Sequence, residues 1–152
     1  MADPAAVAAA RQGRQALDAF CRSHSGKLDL SGSDLSGADL AGANLGNANL
    51  DGVDFGGANL EGVRFNSSTI RGANFRDANI RGVSFHKCDL TGSDLRAAAV
   101  DTWGLGEQRL CMSPQSFEGV HWTRQQVESM LEMINLNPDW RVEWQIASKR
   151  EP

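Results

Sequence analysis

Cysteine is scarce in this chain: Cys21, Cys88 and Cys111 are the three it has in 152 residues. They form neither an even disulfide framework nor a metal-spaced pair. With no secretory apolar run after Met1, they point to a reducing, cytoplasmic setting. The three histidines, His24, His86 and His121, fall in different elements, and none has the spacing of a metal site or a catalytic triad. Sixteen glycines are many for this length, yet no GxxxxGK[ST] loop stands among them, so a phosphate cradle of that kind is excluded. A net charge of -4 argues against general nucleic-acid binding, and 41% hydrophobic residues describe one soluble domain rather than a disordered or membrane-spanning chain. Nothing here calls for an enzyme, a cofactor or a metal ion.

What the chain has instead is a period of five. From residue 28 to 107 a large apolar residue falls on every fifth position, beginning Leu30, Leu35, Leu40, Leu45, Leu50, Phe55 and ending Leu95, Val100, Leu105. Two positions earlier stands a mostly small residue, such as Ala38, Ala43, Ala58, Ser68 or Cys88, and one position earlier usually Asp or Asn. Five matches neither the 3.6 of a helix nor the 2.0 of a strand, so the pattern is that of a repeat architecture.

Five residues suit one short extended side and one corner. Four sides close a square coil of twenty residues, and stacked coils pair at the strand spacing of about 4.8 Å, which makes a parallel β-helix with an all-β core; parallel crossovers favour a right-handed hand. Glycine recurs at the second residue after the large one, where a type II turn needs positive φ, as at Gly32, Gly52, Gly72 and Gly92. Sorting at intervals of twenty isolates one glycine-free column, Asn47, Ser67, Lys87 and Glu107, which predicts a different turn type along that edge. The same sorting stacks Leu35, Phe55, Phe75 and Leu95 on one wall and Leu45, Phe65, Phe85 and Leu105 on the opposite one, with aliphatic columns between.

The A-(D/N)-L-x-x units, clearest in Ala38-Asp39-Leu40, Ala58-Asn59-Leu60 and Ala73-Asn74-Phe75, resemble the pentapeptide-repeat family across sixteen contiguous pentads. The resemblance implies the right-handed quadrilateral β-helix. Arg64, Thr69, Ser84 and Ala99 depart from the Asp/Asn position, and Trp103 is large for a small-residue slot.

Flanking segments read as end caps, giving an N-terminal cap over 1–27, a β-helix of about four to five coils over 28–124 that is irregular after 102, and a C-terminal cap over 125–152. Pro4 to His24 reads as one alanine-rich helix with Asp3 as N-cap, docking by its Leu17, Phe20 and Cys21 end, with Arg11 and Arg14 on a solvated face. After Glu107 the phase slips by two residues, and weaker pentads follow in which Met112, Phe117 and Trp122 continue the inward series, the alternative being an irregular loop across the end of the stack. Thr123 and Gln126 make a capping box for a last helix with Val127, Met130, Leu131 and Ile134 on one face. Trp140 to Ile146 alternates as a strand with Trp140 and Trp144 on one side.

The expected function is a non-enzymatic protein-interaction or scaffold module with a protein partner, no direct nucleic-acid binding and no membrane. Candidate partner-binding residues are Arg76 and Arg96, stacked on one side with Asp77 nearby, and the tryptophan strand of Trp140 and Trp144, through which the chain could form a homodimer. Arg81 is placed between Glu61 and Asp101 in a surface charge ladder. Quinolone-resistance members of the family resembled are acidic DNA mimics that act on DNA gyrase, which is the alternative. Against it, residues 28–102 carry ten Asp or Glu but six Lys or Arg, and about 20–24 Å of rod is short for a mimic.

Overall fold

A computed structural model describes residues 1–99, 111–112 and 120–128, the pair 111–112 by backbone alone. Helix α1 (Pro4–Arg11) and helix α2 (Arg14–Ser23) precede the coils. From Asp29 onward, parallel bridges join residues twenty apart without interruption, from Asp29↔Asn49 through Asp54↔Asn74 to Asn79↔Ala99. Each bridge is a pair of rung bonds: Leu30 N–H donates to Asn49 O at 2.9 Å, and Asn49 N–H donates to Leu28 O at 2.8 Å. The cross-section is therefore four-sided. We number the walls by their inward columns: wall 1 holds Leu30, Leu50, Ile70 and Leu90; wall 2 holds Leu35, Phe55, Phe75 and Leu95; wall 3 holds Leu40, Leu60 and Ile80; wall 4 holds Leu45, Phe65 and Phe85.

All of these columns are buried, as are the small slots before them, from Ala43 and Ala48 to Val83 and Ser93. The phenylalanines stack as the twenty-residue interval requires, Phe55 on Phe75 and Phe65 on Phe85, both with centroids 5.3 Å apart. Across the interior the two walls meet edge to face, Phe75 against Phe85 at 5.7 Å and 88°. Aromatic pairs in both geometries add roughly 0.5–1.5 kcal/mol beyond their area. The small slots also satisfy the corners: Ser68 Oγ donates to Leu45 O at 2.6 Å, Ser93 Oγ to Ile70 O at 2.6 Å, and the Cys88 thiol donates to Phe65 O.

The expected change of turn type along wall 4 does not occur in φ. Asn47, Ser67 and Lys87 take φ of 58°, 61° and 57°, in the same left-handed region as the corner glycines, and on wall 2 Asp77 and Ala97 do likewise. Closing a square coil demands a left-handed residue at the corner whichever side chain stands there; a non-glycine residue accepts the steric cost because the rungs above and below hold it.

The first helix also differs from its sequence reading. It is broken at Gln12 and Gly13, with Gly13 at φ 98° and a Cβ there 3.1 Å from Asp39 O. The break brings both helices onto the first coil. Ala6 and Ala10 of α1 are buried along with Leu17, Phe20 packs partly, and Cys21 is exposed. Three walls of the first coil receive donors from this region: Asp3 N–H to Asp29 O on wall 1 at 2.9 Å, Arg11 Nε to Asp34 O on wall 2 at 2.9 Å, and on wall 3 Arg14 N–H to Asp39 O at 3.1 Å with Arg14 Nη1 to Ala41 O at 3.3 Å. The two arginines read as solvated thus close open edges.

At the other end, strand β1 (Ser84–Phe85) pairs in parallel with strand β2 (Cys111–Met112), and Asp94 bridges His121. Both steps span twenty-seven residues, so the register above Phe85 belongs to Met112, where the twenty-residue rule put Leu105. Stacking resumes with Val120 and Trp122 packed against the core. The Thr123 and Gln126 box forms reciprocally, Thr123 N–H to Gln126 Oε1 at 2.8 Å and Gln126 N–H to Thr123 Oγ1 at 3.2 Å. Buried Gln126 also donates from Nε2 to Leu95 O at 2.9 Å and Ala98 O at 3.2 Å. Val100, Trp103, Leu105, Glu107 and Phe117 lie outside the described residues, as do the predicted C-terminal strand and the far side of the last helix.

Candidate interaction site

The walls differ in what they show to solvent. On walls 1 to 3 the residue before each inward one is an Asx in nearly every rung, and its side chain does two jobs. It accepts from the backbone two residues on, as Asp54 Oδ1 does from Gly56 N–H at 2.8 Å, and it bonds along the stack, as Asn59 Nδ2 does to Asp39 Oδ1 at 2.9 Å and Asn74 Nδ2 to Asp54 Oδ1 at 2.8 Å. Wall 4 has Asn44, Arg64 and Ser84 in that column, and no such stack of amides and carboxylates runs up it.

Charge follows the same division. Among the described coil residues, wall 1 carries Asp29, Asp51 and Asp89 with Arg71; wall 2 carries Asp34, Asp54, Asp77 and Asp94 with Arg76 and Arg96; wall 3 carries Asp39 and Glu61 with Arg81. Wall 4 carries Arg64 and Lys87, with His86 beside them, and no carboxylate.

Arg96, predicted as half of a basic patch, is bound to its own wall. Its Nε lies 2.9 Å from Asp94 Oδ1 and its Nη2 2.6 Å from Asp94 Oδ2, a bidentate pair two residues apart. These bonds hold the Asp94 carboxyl at about 2, well below the usual carboxylate range, with Arg76 adding a smaller effect. The neighbour that matters to Arg96 is thus Asp94 rather than Asp77, and the Arg96 half of the patch is neutralised. Arg76 remains exposed, its N–H bonded to Asn74 Oδ1. A charge ladder does form, on wall 1: Arg71 Nη2 is 2.8 Å from Asp51 Oδ2 and Arg71 Nε is 3.7 Å from Asp89 Oδ2. The other end of the predicted Arg81 ladder, Asp101, lies outside the described residues, as do Trp140 and Trp144.

By contrast, Arg64 and Lys87 are exposed and have no ion-pair partner among the described residues. The sequence carried a sign of this wall, since its corner column alone lacks glycine, but turn chemistry was read from it rather than surface chemistry. At the foot of wall 4 a cleft of about 580 Å³ opens beside α2, lined by Phe20, His24, Lys27, Asn44, Asn47 and Ser67 among others. The His24 ring stacks on Phe20 at 3.9 Å. Asp3 and Asp29 also border the cleft, but each is engaged, Asp3 with Ala5 N–H and Asp29 with Ser31 N–H and the Asn49 amide.

Chemically reactive groups are few. Burial pushes the Cys88 thiol up to about 11, which removes it as a nucleophile near neutrality. Burial, and then Asp18, raise the Cys21 thiol as well. Among the described residues no three His, Cys, Asp or Glu side chains are placed to hold a metal ion, and no helix is long and apolar enough to cross a membrane.

The family model for pentapeptide repeats matches residues 29–66 and 58–96 in eight copies. Among solved structures, HetL, a pentapeptide repeat protein involved in heterocyst differentiation regulation in the cyanobacterium Nostoc sp. strain PCC 7120, is 32% identical over 51% of this chain, with a TM-score of 0.45. This chain spans only 37% of HetL. A pentapeptide repeat protein of the Arabidopsis thaliana thylakoid lumen is 26% identical over 78% of this chain and 68% of its own, with a TM-score of 0.44. QnrB1, a plasmid-mediated fluoroquinolone resistance protein, is 17% identical over 78% of this chain and 88% of its own, with a TM-score of 0.19. No curated protein matches by sequence.

Proposed function

We propose that this chain, whose residues 29–96 match the pentapeptide-repeat family model, is a rigid, end-capped, non-enzymatic module that binds another protein on its side walls. The observation that carries the reading is the unbroken run of twenty-residue bridges from Asp29 to Ala99, which sets outward side chains on a fixed grid. Such a grid spends little conformational entropy on binding, because the backbone that presents each side chain is already ordered. The C-terminal tryptophans, Trp140 and Trp144, supply a second contact surface, for a partner or a second copy.

A pull-down with the full chain as bait tests this reading. The expected result is a partner retained by the wild type and released by charge reversal on one wall; retention that no wall affects would remove the module. A supercoiling assay with purified gyrase addresses the DNA-mimic alternative, and no effect at low micromolar protein is expected. The cations of wall 4 stand where a duplex mimic needs anions. Protection or inhibition of gyrase would put the mimic reading in first place.

A further inference from the structure

We propose that wall 4 is the docking wall, and that what docks there is an extended, carboxylate-rich segment of a protein. This rests on the interaction-module reading above and adds to it the wall and the chemistry. Arg64 and Lys87 are exposed, have no ion-pair partner among the described residues and share their wall with no described carboxylate, whereas Arg76 stands on a wall with Asp77 and Asp94. The amide Nδ2 groups of Asn44, Asn47 and Asn66 on the same wall have no acceptor among the described residues, so donors stand beside the charges. On the other walls the stacked Asn amides donate to Asx oxygens, and Arg71 and Arg96 are held by carboxylates.

A flat wall favours an extended chain. Arg64 stands on the flat of the wall and Lys87 at the corner of the next coil, so a strand laid across the wall passes both cations. Below them the cleft beside α2, with Lys27 on its lining, offers the segment room to continue past the first coil. A nucleic acid suits the wall less well. It brings a charge every ~1.7 Å of duplex against a few cations, and the other three walls, each with more carboxylates than cations, repel its flanks.

The test uses the full chain and three fluorescent probes: a short peptide of Glu-x-x-Glu repeats, its Gln counterpart, and a short DNA duplex, read by anisotropy at about 50 and about 300 mM salt. The glutamate peptide should bind, weaken several-fold at the higher salt, and lose at least tenfold in affinity with Arg64→Ala/Lys87→Ala. Arg76→Ala/Arg96→Ala should change it less than about twofold, because the wall 2 arginines already have carboxylates beside them. All four substituted side chains are exposed, and unchanged thermal melts check that the variants fold. No binding by the wild type, equal binding of the Gln peptide, tighter binding of the duplex, or an undiminished double variant would each overturn the proposal. In pull-downs, a partner lost on reversal of walls 1 to 3 but kept by R64E/K87E removes wall 4 and leaves the module standing.

Discussion

Walls 2 and 4 face one another across the core and are alike inside, each with two stacked phenylalanines at the same 5.3 Å separation. Outside they part. Wall 2 carries Asp34, Asp54, Asn74 and Asp94 before its inward residues, and wall 4 carries Asn44, Arg64 and Ser84. The rungs run through both without a break. What this teaches is that interior and exterior of such a coil are specified separately: neighbouring residues in an extended segment point opposite ways, and backbone bonds hold the register whatever the outer side chain is. One wall can therefore be given over to another use at little cost to the fold.

Core truncation should show the sameness of the two interiors. Phe75→Ala on wall 2 and Phe65→Ala on wall 4 should each cost about 3–5 kcal/mol in chemical denaturation, since each ring stacks on one neighbour and the two meet each other edge to face. A much smaller loss for Phe65 would mean that the walls differ within as well as without.

The exterior should separate them. Asn74→Ala removes a donor to Asp54 and an acceptor for Arg76 N–H, and should cost about 1–2 kcal/mol. Arg64→Ala, at the corresponding position of wall 4, should fall within about 0.5 kcal/mol of wild type. Equal losses would break the comparison.

Corners give a smaller effect of the opposite sign. Lys87→Gly on wall 4 and Ala97→Gly on wall 2 relieve a left-handed residue, at φ 57° and 60°, and should each raise stability by about 1 kcal/mol. A melting series that showed no gain would mean that these corners are not strained.

Acid should touch wall 2 and spare wall 4. The folded pKa of Asp94, about 2, lies below the ordinary unfolded value of about 3.9, so its contribution is whole above that value and disappears as the pH falls toward 2. Asp94→Asn should flatten that part of the stability profile; a wild-type profile already flat between about pH 4 and 2 would contradict the pairing with Arg96.

Much of this was legible beforehand because a period repeated many times averages out local exceptions. The inward series from Leu30 to Leu95 and the stacking of Phe55 on Phe75 follow from counting by twenty. Counting failed where the repeat was interrupted. Cys111 and Met112 pair with Ser84 and Phe85 because parallel strands match hydrogen-bonding edges, not residue numbers. Nor could alanine content show that Gly13 would break the first helix, since the reason is the approach of Asp39 O from a coil farther along the chain. Arg11 and Arg14 looked like solvent-facing charges for the same reason: their acceptors are carbonyls more than twenty residues away. Counting by twenty put Asp77 alone beside Arg76 and Arg96, and missed the pairing of Arg96 with Asp94, two residues before it.

By itself the order of residues determined the square coil, its interior columns and its corner positions, because each depends on spacing alone. Only the folded chain decided which surface charges are spent and which are available. Arg96 and Arg71 are committed to carboxylates, while Arg64 and Lys87 are left facing solvent. Whether a guanidinium is paired depends on distances between side chains that the coil brings together, and those distances exist only after the walls have stacked.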